Sequence, residues 1–225
     1  GAGRLPLLER AFAIFEEEVG PAMRAALDAE AEAAAGAGAG APASSPLLRR
    51  ATIHNDPNDH NVLMRPSAPS EVAGIIDFGD TVHSFLVCNI AIGLAYMALD
   101  KPDGAAVLST TCAVLEGYTS VLPLNAAEVA CVFPLMCARL AQSVTMSSYS
   151  FAQDPTNEYL LVTQKPGWAA LAQMLELDRA EVDAAIQRAC AGGAAGGSAG
   201  AGGAPGGAAP STTGGTPGGG DWSID

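Results

Sequence analysis

The residues of this chain that could do chemistry are concentrated between Thr52 and Asp80. His54, Asp56 and Asn61 stand in the order H-x-D-x-x-x-x-N, and Asp77-Phe78-Gly79 follows after a short β-prone interval. That order is a pattern for phosphoryl transfer. The reaction needs a carboxylate that orients the attacking hydroxyl and accepts its proton. It also needs oxygen ligands that hold Mg²⁺ against the phosphates, because the transferring group spreads negative charge over its oxygens. Mg²⁺ is hard and takes one or two protein carboxylates, with water and phosphates completing its octahedron. Asp56 is then the expected base, Asn61 a side-chain amide ligand and Asp77 the principal metal carboxylate. Two other readings of the same residues exist. One is a polar loop followed by an Asp-Phe-Gly turn. The other is a zinc site built from His54, Asp56 and His60, for which the chain offers no further ligand cluster.

These side chains need a scaffold that brings Asn61 and Asp77 together. Val62-Leu63-Met64 and Val72 to Ile76 are β-prone and flank the turn-forming run Pro66-Ser67-Ala68-Pro69-Ser70. A hairpin across that turn places Asn61 and Asp77 at one end. Thr52-Ile53 predicts a further strand entering the loop. Upstream, Leu8, Phe12, Phe15 and Val19 form one apolar stripe of a helix running from Leu5 to about Glu32, with Glu16 to Glu18 on the solvated side and a break or kink at Gly20-Pro21. Downstream, the pattern predicts a buried helix from Val82 to Leu99 with His83 at the surface, and a helix from Ala105 to Val121. A third, Ala126 to Ser147, starts with a capping box of Asn125 and Glu128 and is kinked at Pro134. Tyr149 to Gln164 reads as a polar loop. A last helix from Trp168 to about Cys190 has an exposed, charge-alternating second half, Asp178 to Arg188. The expected fold class is α+β, mostly α.

The segments Asn58-Asp59-His60-Asn61-Val62-Leu63, Ile76-Asp77-Phe78-Gly79-Asp80 and Gln153-Asp154-Pro155-Thr156-Asn157-Glu158-Tyr159-Leu160 resemble the aminoglycoside phosphotransferase/choline kinase family, and within it the hydroxylysine kinase group. The resemblance runs from about Leu5 to Leu175. It implies the C-terminal lobe of a kinase-like fold, with the catalytic and metal residues on the small hairpin. It implies transfer of the γ-phosphate of GTP, or ATP, to the hydroxyl of a small amine, with 5-hydroxy-L-lysine as the expected acceptor. It also implies support of the catalytic loop by His54 and a cytoplasmic setting. Three departures stand out. Asn55 occupies a position usually held by Gly, and Asn tolerates a left-handed backbone. Pro57 directly follows the expected base. Asn89-Ile90-Ala91 replaces a usual Asp-Leu-Ala, so Asn89 would support the loop through an amide instead of a carboxylate. The resemblance further places Asp154 and Glu158 on the substrate side, where they could meet an ammonium group; the alternative is a solvated loop capped by Asp154 or Asn157.

The domain plan that follows is a helical scaffold segment over 1–32, a low-complexity insert over 33–46, a kinase-like C-lobe over 47–190 and a disordered Gly/Ala-rich tail over 191–225. No Gly-rich phosphate loop or strand lysine is seen; the two lysines, Lys101 and Lys165, lie downstream beside prolines. The N-lobe is thus absent from view and expected upstream in the full-length protein. A chain without it would be inactive as a kinase on its own. A net charge of −13 argues against a nucleic-acid phosphate binder and is compatible with a cationic substrate or with a solvated acidic surface that aids solubility. The five cysteines form no C-x-x-C pair and sit among apolar residues, as free thiols do. The apolar run Phe85 to Leu99 is interrupted by Asn89 and too short to span a bilayer comfortably, so neither nucleic acid nor membrane is an expected partner. Besides a hydroxylysine kinase, two alternatives are a non-catalytic kinase-like binding module and an aminoglycoside- or choline-type small-molecule kinase.

Overall fold

A computed structural model describes residues 3–35, 47–157, 161–162 and 164–200. Most of the expected low-complexity insert, and the tail from 201 onward, lie outside the described residues.

The chain opens with α1 (Leu5–Ile14), a π-helical turn at Phe15–Val19 and α2 (Gly20–Ala34). Pro21 does not end the helix. The widened turn carries the Gly20 N–H back to the Phe15 carbonyl, so the chain enters α2 with proline in its first turn, where its missing N–H is harmless. The expected stripe is altered at one place. Ala11 is fully buried while Phe12 is 44% exposed, because the small side chain packs against the core helices.

Two antiparallel two-stranded ribbons follow. One pairs β1 (Arg50–Ile53) with β4 (Val82–Phe85), in the register Arg50↔Phe85 to Ile53↔Val82. The other is the hairpin of β2 (Val62–Arg65) and β3 (Ala68–Ile75), with Val62 opposite Ile75. Its turn is shorter than expected, Pro66-Ser67 only, since the extended chain resumes at Ala68 and register shifts take up the difference. β4 corrects the expected single helix from Val82. Val82-His83-Ser84-Phe85 is a strand because β1 offers it a partner, and helix α3 (Leu86–Met97) starts only afterwards. His83 is exposed, as expected.

α3 is apolar nearly all round and is the central helix, with Val87, Ile90, Ala91, Leu94 and Ala95 buried. It packs against α5 (Ala126–Gln153), while α4 (Gly104–Val121) packs mainly on α7 (Arg179–Gly200) and α6 (Gln164–Glu176) on α5. Asp103 caps α4 through the Ala106 N–H at 2.8 Å. The capping box of α5 is present in both halves. Asn125 Oδ1 accepts from Glu128 N at 3.0 Å, and Glu128 Oε2 accepts from Asn125 N at 2.9 Å. Glu128 is completely buried and also receives the Arg49 backbone N–H and guanidinium, the latter at 2.6 and 2.9 Å. Asn125 Nδ2 donates to Leu47 O. The chain entering β1 is therefore clamped onto the start of α5.

α5 outlasts the expected end at Ser147 by six residues, so the polar loop begins only at Asp154. It is long and apolar enough to cross a membrane by length and composition, but more than half of its most apolar stretch is buried within this fold. The expected single helix from Trp168 is two helices, broken at Leu177-Asp178. Nor is Asp178 to Arg188 all surface, because Val182 and Ile186 are buried and Arg179 pairs with Glu18 and Asp183. α7 continues past Cys190 to Gly200, and Gly193 lets it approach α4 closely. A Cβ at Gly193 would stand 2.2 Å from Thr119 Oγ1. The five cysteines are free, and Cys131, Cys137 and Cys190 are buried. Burial pushes the Cys137 thiol up to about 12.

Candidate active site

The loop between β1 and β2 is shaped by its own side chains. Asn55 and Asp77 both adopt the left-handed backbone region, with φ of 69° and 60°. Asn58 caps the short 3₁₀ turn Asp59–Asn61, its Oδ1 accepting from His60 N at 2.9 Å and Asn61 N at 3.1 Å. This turn directs the Asn61 side chain inward, where it is buried and Nδ2 donates to Asp56 O at 2.9 Å and Asp56 Oδ2 at 3.2 Å. Asn58 Nδ2 donates to the same Oδ2 at 2.8 Å. Asp56 thus sits in a fixed carboxylate position, framed by two amides.

The hairpin joins the two halves of the motif. Ile76 N donates to Asn61 O at 3.0 Å, one step beyond the Val62–Ile75 pair, so Asn61 and Asp77 emerge at the same end. His54 ties the ends from the other side. Its Nε2–H donates to Ile76 O at 2.8 Å and its Nδ1 accepts from Asp56 N at 3.3 Å. A carbonyl can only accept and an amide N–H can only donate, so this is the neutral tautomer with its proton on Nε2. The ring also lies 4.9 Å from the Phe78 ring. Asn89, at the departure from the family pattern, accepts the Asn55 N–H through Oδ1 at 3.1 Å. Beneath the loop, Gly93 of α3 leaves room for Pro57; a Cβ there would meet Pro57 O at 3.2 Å.

The site residues expected from sequence are therefore brought together in five cases: His54, Asp56, Asn61, Asp77 and Asn89. Asp154 is not part of this cluster. Asp154 accepts from Thr156 N and Oγ1 at 3.2 and 2.6 Å in its own exposed turn. Glu158 lies outside the described residues. Zinc is disfavoured, since among the described residues no three His, Cys, Asp or Glu side chains converge, and both nitrogens of His54 are engaged. Magnesium fits better. Asn61 spends its amide N–H groups on Asp56 and leaves Oδ1 free to accept. Asp77 is exposed and carries only a long contact from Gly79 N at 3.4 Å. Both groups offer the hard oxygen donors that Mg²⁺ prefers.

Arg139 was not anticipated from the sequence. From α5 its Nη2 reaches Asp56 Oδ1 at 3.1 Å and the Tyr96 hydroxyl at 2.9 Å. It is one of two charged residues in a helix of 28, the other being Glu128. That isolation in an apolar helix is the signal that could have found it. A cleft of about 800 Å³ is lined by Asp56 and Arg139 together with Asp59, Tyr96, Asp100 and Lys101.

Comparison with known proteins agrees with this geometry. The family model described as "Phosphotransferase enzyme family" matches residues 3–124. A hydroxylysine kinase of Danio rerio is 36% identical over 141 residues, 61% of this chain and 39% of that protein. One of Mus musculus is 37% identical over 142 residues, 60% of this chain and 37% of that protein. A homoserine kinase of Allorhizobium ampelinum is 31% identical over 121 residues, 54% of this chain and 34% of that protein. The chain spans less than two fifths of the length of these curated relatives. No solved structure matches. With more than half of its length matched by the family model, the chain belongs to the phosphotransferase enzyme family.

Proposed function

We propose that this chain supplies the catalytic half of a small-molecule kinase that moves the γ-phosphate of GTP or ATP to the hydroxyl of a small amine, with 5-hydroxy-L-lysine as the acceptor. The observation that carries this is the hydrogen bond from Ile76 N to Asn61 O. Through it Asn61, whose amide donates to Asp56, and Asp77 leave the same end of the hairpin, which supports their joint role. Asp56 faces the cleft and takes the proton of the acceptor hydroxyl as it attacks. Asn58 and Asn61 hold that carboxylate in place by donating to its Oδ2. Asn61 Oδ1 and Asp77 would hold Mg²⁺, which supplies charge neutralisation at the phosphates. His54 locks the loop to the strand that leads into Asp77.

The nucleotide requires a cover that these residues do not provide. Leu63, Val72, Ile75, Ile76, Phe78 and Val82 are all more than 40% exposed on the hairpin and the turn after it. An apolar surface of this kind suits the underside of a nucleotide-binding lobe in the full-length protein. The names of the relatives favour a hydroxylated amino acid over an aminoglycoside or choline as acceptor.

The test is direct. Full-length protein is incubated with Mg²⁺ and either GTP or ATP in the presence of 5-hydroxylysine, homoserine, choline or an aminoglycoside. Formation of phosphohydroxylysine with release of nucleoside diphosphate is expected. Nucleotide binding without transfer to any acceptor would instead favour a non-catalytic binding module.

A further inference from the structure

Arg139 carries more donors than its neighbours use. A guanidinium has five N–H groups. Two Nη2 hydrogens go to Asp56 Oδ1 and Tyr96, and Nη1 donates to Gln142 Oε1 at 3.2 Å. Nε is buried with no acceptor. The group lies over the Tyr96 ring, 5.4 Å from its centroid, which fixes its plane. A long charged side chain held this way, only 22% exposed in an apolar helix, meets Asp56 through a single oxygen and not as a bidentate pair. Arg139 lines the cleft beside Asp56, so the exposed part of its guanidinium is reached from there.

The cleft itself carries both signs of charge. Asp56, Asp59 and Asp100 stand against Lys101 and Arg139. A purely cationic acceptor such as an aminoglycoside or choline has no use for an arginine beside the attacking hydroxyl. A zwitterionic acceptor does, because its carboxylate lies only a few bonds from its hydroxyl. Three carboxylates against two fixed cations also leave one net negative charge, opposite to the net positive charge of a diamino monocarboxylic acid.

We propose that Arg139 binds the α-carboxylate of an amino-acid acceptor and thereby restricts this site to hydroxy amino acids. The assignment rests on phosphotransfer at this cleft, and it deepens it by naming what excludes other hydroxylated amines. Arg139 also positions Asp56, and the two roles separate experimentally. Titration calorimetry on the full-length protein compares 5-hydroxylysine with its methyl ester, which removes the negative charge and little else. The wild-type protein is expected to bind the acid about 30-fold more tightly than the ester, the order of a hydrogen-bonded charged contact. Arg139→Gln should abolish that preference, Arg139→Lys should keep part of it, and Asp56→Asn, which retains Arg139, should preserve it. Equal wild-type affinities, binding of neither compound, or an undiminished preference in Arg139→Gln overturns the assignment. Phosphoryl transfer is read separately by product formation, so a protein that phosphorylates acid and ester with equal kcat/KM contradicts the role of Arg139 alone. A protein that binds the acid selectively but transfers no phosphate contradicts the kinase reaction alone.

Discussion

The backbone N–H of Asn55 donates to Oδ1 of Asn89 over 3.1 Å, linking residues 34 apart in sequence. This one bond holds the left-handed residue before Asp56 to the central helix. Replacing Asn89 with Ala leaves a half-buried N–H without a partner and is expected to destabilise the fold by about 1–3 kcal/mol. Asn89→Asp should retain the bond and most of the stability. Urea denaturation of the three proteins checks this, and equal midpoints for wild type and Asn89→Ala would remove Asn89 from the support of the loop. Asn55→Gly should be tolerated, because Gly adopts φ near 69° without strain.

Glu128 is buried, closes the capping box of α5 and pairs with Arg49 at 2.6 Å. The pairing raises the Arg49 pKa above its ordinary value, chiefly through the side-chain hydrogen bond. Loss of the carboxylate leaves the partly exposed Arg49 with the Pro123 carbonyl and opens the helix start. Glu128→Ala is expected to cost about 1–3 kcal/mol, the range for losing a charged hydrogen bond together with a helix cap. Thermal denaturation of the variant should show a clear loss. A Tm within a degree of wild type would contradict the clamp between β1 and α5.

Cys137 is fully buried, and loss of solvation pushes its thiol from about 9 up to about 12. In the unfolded chain the thiol ionises near its ordinary value. The native state therefore holds the proton longer, and its stability from this group is complete below about pH 8.5 and is lost as pH rises toward 12. Denaturation midpoints should fall between pH 8.5 and 11 more steeply for wild type than for Cys137→Ala. Parallel pH profiles would show that Cys137 does not titrate as a buried thiol.

How much of this was legible beforehand depended on distance along the chain. The Asp56-to-Asn61 spacing, the Asn125–Glu128 capping box and the hairpin joining Asn61 to Asp77 are local, so residue types alone reveal them. Asn89 was found through a family pattern, and its bond to Asn55 could not have been read from propensity. The pairing of Val82–Phe85 with β1 was hidden because four residues of mixed polarity running into an apolar helix read as part of that helix; only a distant partner makes them a strand. Arg139 lies 83 residues from Asp56, and nothing near it in sequence says which face of α5 meets the loop. Asp154 accepts from Thr156 in its own exposed turn, a contact that an acidic residue in a polar loop makes as readily as one to a ligand.

The most direct test of the central claim is the turnover of Asp56→Asn in the full-length protein. Asn preserves the shape of the side chain and its place between Asn58 and Asn61, but cannot accept the proton of the attacking hydroxyl. With Mg²⁺, GTP or ATP and 5-hydroxylysine, kcat is expected to fall about 10²–10⁴-fold, the range for loss of a general base, with acceptor binding retained. Turnover equal to wild type would contradict Asp56 as the base, and with it the phosphotransfer mechanism assigned to this site.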